Sequence, residues 1–168
     1  TGCYPSRVGL GTPLHTPDKI GLHEDEITLA ELLKSQGYAT ACIGKWDVSN
    51  RKAIIERMPN AQGFDYYFGT LGANDGGRVA FHENNQPAGN TTDMGSLIRL
   101  YTDKAIDYLK SKRDPKKPFV LYVAHTMMHT IIAEDLVDHD FIERRTHGFD
   151  DVARTVKAYS PEAMEHVT

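Results

Sequence analysis

Apolar residues recur along this chain in two similar blocks, each a stretch of helical period followed by a short, nearly continuous apolar run. In "HEDEITLAELLKSQGYATACIGKW", Thr28 and Glu31 have the spacing of a helix capping box, and Ile27 and Leu32 occupy the flanking staple positions. This predicts a helix from about Leu29 to Gln36, stopped by Gly37, and then a buried strand over "YATACIG". The second block is "MGSLIRLYTDKAIDYLKSKRDPKKPFVLYVAHT". Here Leu97, Leu100, Tyr101, Ala105, Tyr108 and Leu109 share one helical face, and "FVLYVAH" is the next strand after a Lys/Pro-rich connection. Helices alternating with such strands predict the α/β class, with a parallel or mixed sheet covered on both faces.

Between the blocks, the segment from Asp47 to Asp93 is rich in Gly, Asn and Asp and has no sustained period. It predicts a long loop, the usual place for substrate-specifying contacts, although a plain surface loop fits the same pattern. Asn90-Thr91-Thr92 matches a glycosylation acceptor, a tripeptide that also arises often by chance. From about Ile131 the punctuation is helical. Leu136, Val137, Phe141 and Ile142 are the apolar positions of one helix, Gly148 stops it, and Ser160-Pro161 begins another.

Composition narrows the field. With 168 residues, 40% hydrophobic and 25% charged, the chain suits one ordinary domain core. A net charge of -4 gives no basic surplus, which argues against a nucleic-acid partner. No apolar run approaches the ~20 residues that span a bilayer, so no membrane partner is expected. The first residues carry no signal-peptide pattern, and a start at Thr1 creates the expectation of sequence upstream. Cys3 and Cys42 are too few for a disulfide framework.

The candidate chemistry begins at Cys3-Tyr4-Pro5-Ser6-Arg7. This stretch resembles the C-x-P-S-R signature of the sulfatase family, in which a formylglycine-generating enzyme oxidises the cysteine to formylglycine. "GYATACIGKW", Gly37 to Trp46, resembles the family's second signature, and "PFVLYVAHTMMHT", Pro118 to Thr130, is similar to the strand and loop that bring a histidine to the sulfate pocket. "GFDYYFG", Gly63 to Gly69, fits the same order, so the resemblance covers roughly residues 1–130. It implies a partial catalytic domain of alkaline-phosphatase-like architecture with flanking helices. It further implies a sulfuric ester hydrolase acting on a small-molecule or carbohydrate sulfate ester, in a secreted or periplasmic setting.

The residues suit that chemistry. A sulfate ester is an anion with a poor leaving group, so its hydrolysis needs a nucleophile, cations and an acid. The resemblance implies that Cys3, as a hydrated formylglycine, attacks sulfur with one hydroxyl and later expels sulfate through the other. Arg7 would hold the diol, aided by a helix start. Lys45, at the carboxyl edge of a strand, would clamp a sulfate oxygen. His129 would contact the sulfate or protonate the leaving oxygen, with His125 the weaker candidate because it falls inside the strand. The resemblance also implies calcium, with Cys3 as formylglycine among its ligands.

The sequence departs from the family pattern in three places. Asp47 stands where a histidine usually follows the lysine and tryptophan. The acidic segments that complete the calcium site are not recognisable, and calcium needs about six to eight oxygens. A sheet lacking its metal-bearing strand is expected to self-associate through an open edge. Finally, residues 131–168 resemble a helical stretch of molybdopterin oxidoreductases of the formate dehydrogenase type, with the change falling at Met127–Ile132. Two readings therefore stand: a sulfatase fragment followed by a helical tail of different origin, or a non-catalytic chimera in which Cys3 stays an unmodified thiol.

Overall fold

The computed structural model describes residues 1–12, 14, 21–49, 53–74 and 77–126. His129, the helices expected after Ile131 and the expected domain boundary lie outside the described residues.

The capping box forms as the spacing predicts. The Glu31 N–H donates to Thr28 Oγ1 at 3.1 Å, and the Thr28 N–H donates to Glu31 Oε2 at 2.7 Å, opening helix α1 (Leu29–Ser35). The helix closes in a Schellman arrangement. The Tyr38 N–H reaches back to Leu33 O at 3.1 Å and the Gly37 N–H to Lys34 O at 2.9 Å, with Gly37 in the left-handed region at φ 84°. Ile27 and Leu32, at the flanking staple positions, are both exposed.

Strand β1 (Ala39–Lys45) follows, and its first six residues are all buried. A buried strand needs partners on both edges, and β1 has them: β2 (Tyr66–Thr70) on one side and β5 (Phe119–Ala124) on the other, both parallel. The hairpin β3 (Val79–Glu83) and β4 (Gln86–Thr91) extends the sheet antiparallel from β2, giving the order β4-β3-β2-β1-β5. The sheet is therefore mixed. Among the described residues β5 pairs on one side only, and Phe119 and Tyr122 on it are exposed.

Both faces are covered, as alternation requires. On one face Ala41, Ile43, Tyr66, Phe68, Val79 and Phe81 pack against Leu97, Tyr101, Ala105 and Tyr108, which come from helix α2 (Leu97–Asp107) and the π turn that follows it. Leu100 and Leu109 pack half-buried against the same cluster, so the predicted helical face holds in full. Each fully buried large side chain there, Leu97 and Tyr101 among them, stabilises by roughly 1.5–3 kcal/mol. The other face buries Cys42 and Tyr67 under Ala30 of α1, Trp46, Met58, Phe64 and Leu71.

The expected loop from Asp47 to Asp93 is corrected by β2, β3 and β4, which all lie within it. The β3–β4 hairpin turns at Asn84, φ 53°, whose Oδ1 also accepts the Tyr67 N–H at 3.1 Å. Strand β4 reads QPAGNT and is almost wholly exposed, so it has no hydrophobic alternation to detect.

A charged lock ties α2 to this added hairpin. Lys112 Nζ meets Glu83 Oε1, Tyr66 Oη donates to the same oxygen at 2.8 Å, and Lys104 Nζ lies 3.5 Å from Glu83 Oε2. The Lys112 hydrogen bond holds the Glu83 carboxyl down at about 2, against the opposing effect of burial. A depressed carboxyl contributes stability that is complete above its unfolded value near 4.5 and is lost as pH falls through about 2. Glu83→Gln is accordingly expected to be less stable at neutral pH and to lose less stability between those two values, as read by urea unfolding across pH. A second prediction concerns Gly44, at φ 108°, where an added Cβ would stand 1.9 Å from the Ala124 carbonyl oxygen. Gly44→Ala should cost about 3 kcal/mol or more in the same assay.

Candidate functional site

The carboxyl end of β1 is held on every side. Gly44 lets the strand pass close to Ala124 of β5, and on the other edge a Cβ at Gly69 would stand 1.8 Å from the Gly44 carbonyl oxygen. Past this point the Trp46 N–H donates to Thr70 O at 2.9 Å, and its indole Nε1–H donates to Arg57 O at 3.0 Å. The indole meets the Phe64 ring edge-on, with centroids 5.9 Å apart. Lys45 and Asp47 thus project from a backbone with little freedom to shift.

Asp47 adopts φ 45°, in the left-handed region where aspartate is tolerated better than most residues. Its Oδ2 lies 2.9 Å from Lys45 Nζ, and the two side chains are 27% and 21% exposed respectively. This is an ion pair at a strand end, partly withdrawn from water.

Asp47 and Val48 form one wall of a cleft of about 520 Å³, and Thr1, Cys3, Pro5 and Val8 line the opposite side. Leu22 closes it, and the segment around Leu22 is stitched to the Asp47 turn. The Leu22 N–H donates to Val48 O at 2.8 Å, Gly21 bridges Ser49, and Arg57 Nη1 donates to the carbonyls of Gly21 at 2.8 Å and Leu22 at 3.2 Å. Two motifs far apart in sequence therefore meet at one cleft.

Cys3 is a free, exposed thiol in the cleft wall, and its N–H donates to Thr1 Oγ1 at 3.2 Å. Arg7 is exposed and is not among the cleft-lining residues. It lies on a single 3-10 turn, Pro5–Val8, which corrects the expected helix start: one such turn aligns too few peptide dipoles to act as a helix N-terminus. Lys45 is itself not among the cleft-lining residues and is tied to the cleft by its ion pair with Asp47, which is one of them. His125 is exposed just beyond β5, its ring 6.2 Å from that of Tyr101. Cys42 is also a free thiol but is buried in the sheet, where desolvation pushes its pKa well up and leaves it unreactive.

Sequence reasoning recognised Asp47 only as a departure and missed its position in the cleft wall. The available signal was a lysine and an aspartate two apart at the end of an apolar strand. As a test for calcium, the described residues contain no cluster of three or more His, Cys, Asp or Glu side chains able to hold a metal. Among the described residues Asp47 is the one carboxylate lining the cleft, and it is engaged with Lys45. These residues do not by themselves fit a calcium ion.

The chain is similar to known proteins over part of their length. Mouse arylsulfatase G is 28% identical over 142 residues, covering 65% of this chain and 26% of that protein. Mouse N-acetylgalactosamine-6-sulfatase is 30% identical over 156 residues, covering 77% of this chain and 29% of its own length. The chain thus spans between a quarter and a third of these relatives. A structure from a study of glycosaminoglycan metabolism by Bacteroides thetaiotaomicron superposes with a TM-score of 0.64 at 17% identity, over 77% of this chain and 40% of that one, and shares the fold. The mixed sheet is that of the sulfatases, of alkaline-phosphatase-like architecture.

The family match also corrects the reading of the tail. It continues without a break across Met127–Ile132, and the comparisons give no support to an oxidoreductase segment there. With the sulfatase profile matched over residues 1–161, the chain belongs to the sulfatase family.

Proposed function

We propose that the cleft between Cys3 and Asp47 is the nucleophile side of a sulfuric ester hydrolase acting on a small-molecule or carbohydrate sulfate. The observation that carries this reading is the convergence of Cys3 with the Lys45–Asp47 turn on one cleft. An exposed thiol is open to a modifying enzyme, and a lysine at the carboxyl edge of parallel strands is the cation an anionic group needs.

Oxidised to formylglycine and hydrated, position 3 would supply one hydroxyl to attack sulfur and a second whose proton loss re-forms the aldehyde and releases sulfate. The surrounding residues do the rest. Lys45 donates hydrogen bonds to a sulfate oxygen, which neutralises part of the charge that builds on the equatorial oxygens. Leu22, Val48 and Val8 give the cleft apolar walls that strengthen those contacts by limiting water. Arg7, exposed on the 3-10 turn beside Cys3, would turn inward to support the diol, and the leaving oxygen would take its proton from His129. The relatives' names point to aryl and N-acetylgalactosamine 6-sulfates as the substrate classes to try first. Both positions 3 and 45 act on the sulfate group itself, which every sulfate ester shares.

The test is mass spectrometry of the tryptic peptide Thr1–Arg7 after co-expression with a formylglycine-generating enzyme. The expected peptide carries the aldehyde or its hydrate in place of the thiol, and Cys3→Ala abolishes turnover of a chromogenic aryl sulfate. A peptide that retains its thiol throughout contradicts the reading.

A further inference from the structure

The Lys45–Asp47 pair has a consequence for any anion bound at Lys45. An ammonium has three protons to donate, and here one is directed at Asp47 Oδ2, 2.9 Å away. An anion arriving at the remaining protons meets a carboxylate of the same sign on the same cation. Asp47 cannot withdraw by shifting its backbone. Trp46 before it is pinned to Thr70 and Arg57, and Val48 after it is bonded to Leu22. With both side chains only about a quarter exposed, at 21% and 27%, the repulsion is less screened than on an open surface.

We infer that Asp47 is a built-in counter-ion that competes with the bound anion for Lys45 and weakens the cleft's hold on the more highly charged one. The inference rests on the reading of the cleft as a sulfate-ester site and adds a specific role to it. A sulfate monoester carries one negative charge, and inorganic sulfate carries two. Repulsion from a fixed carboxylate is about twice as large for the dianion. Asp47 therefore sets affinity in favour of the ester and speeds release of the sulfate product. It is a specificity-determining residue that acts through Lys45.

Isothermal titration of the unmodified chain with inorganic sulfate and with methyl sulfate tests this. Asp47→Asn is expected to tighten inorganic sulfate by about tenfold and methyl sulfate by about threefold, with the preference for the ester shrinking accordingly. Lys45→Gln, alone or with Asp47→Asn, should abolish both gains. In the wild-type chain, which does not depend on the variant folding, the Asp47 side-chain carboxyl carbon resonance should move when sulfate is added. Equal or weaker binding by Asp47→Asn, an equal gain for both anions, or a carboxyl resonance unmoved by bound sulfate overturns the inference while leaving the sulfate-ester reading in place. Failure of every protein, Asp47→Asn included, to bind either anion overturns both.

Discussion

At Gly44 three strands are held in close approach, and the carboxyl edge of the sheet takes its shape from it. The parallel strands β1, β2 and β5 come so near one another there that a methyl group at Gly44 or Gly69 would enter a neighbouring carbonyl. Gly44 also takes a left-handed φ, which turns the chain just before its last strand residue. Lys45, Trp46 and Asp47 owe their directions to that turn. A side chain at position 44 would not merely crowd the core. It would move the carboxylate that lines the cleft and the cation paired with it.

From this point the two faces of the sheet divide the work. Helix α2 seals one face through an aromatic cluster in which the Phe68, Phe81 and Tyr101 rings stand 5.5–6.4 Å apart. Trp46, Phe64 and Met58 seal the other and anchor the turn that carries Asp47. Apolar packing thus lies directly beneath a charged pair, the arrangement by which a rigid scaffold holds a polar site in one geometry. The segment at Gly21 and Leu22 then brings a third strip of chain against that turn and closes the cleft.

Much of this was legible in the sequence because local chemistry left few choices. Thr28 and Glu31 could cap only one helix start, the spacing of Leu97 to Leu109 could bury only one face, and "YATACIG" was apolar throughout. The cysteine and lysine signatures also announced the sulfatase family. What stayed hidden depended on partners distant in sequence. Strand β2 is set by its pairing with β1, β3 is short, and β4 is a polar edge strand held to its neighbour by backbone bonds, so none carried a periodic signal. Asp47 could be seen as an exception, but its contact with Lys45 required the left-handed turn, and its place opposite Cys3 required the Gly21–Ser49 bridge. The oxidoreductase resemblance of residues 131–168 misled for a different reason: a helical stretch of ordinary composition can match unrelated families over a few dozen positions.

In the proposed site Cys3 and Lys45 serve one anion. A crystal structure of the chain grown or soaked with inorganic sulfate tests it most directly. Sulfate is expected in the cleft, bonded to Lys45 Nζ and within contact of the position 3 side chain, with the Lys45–Asp47 pair lengthened or broken. Sulfate bound elsewhere while this cleft stays empty, or Lys45 directed away from Cys3, would contradict it.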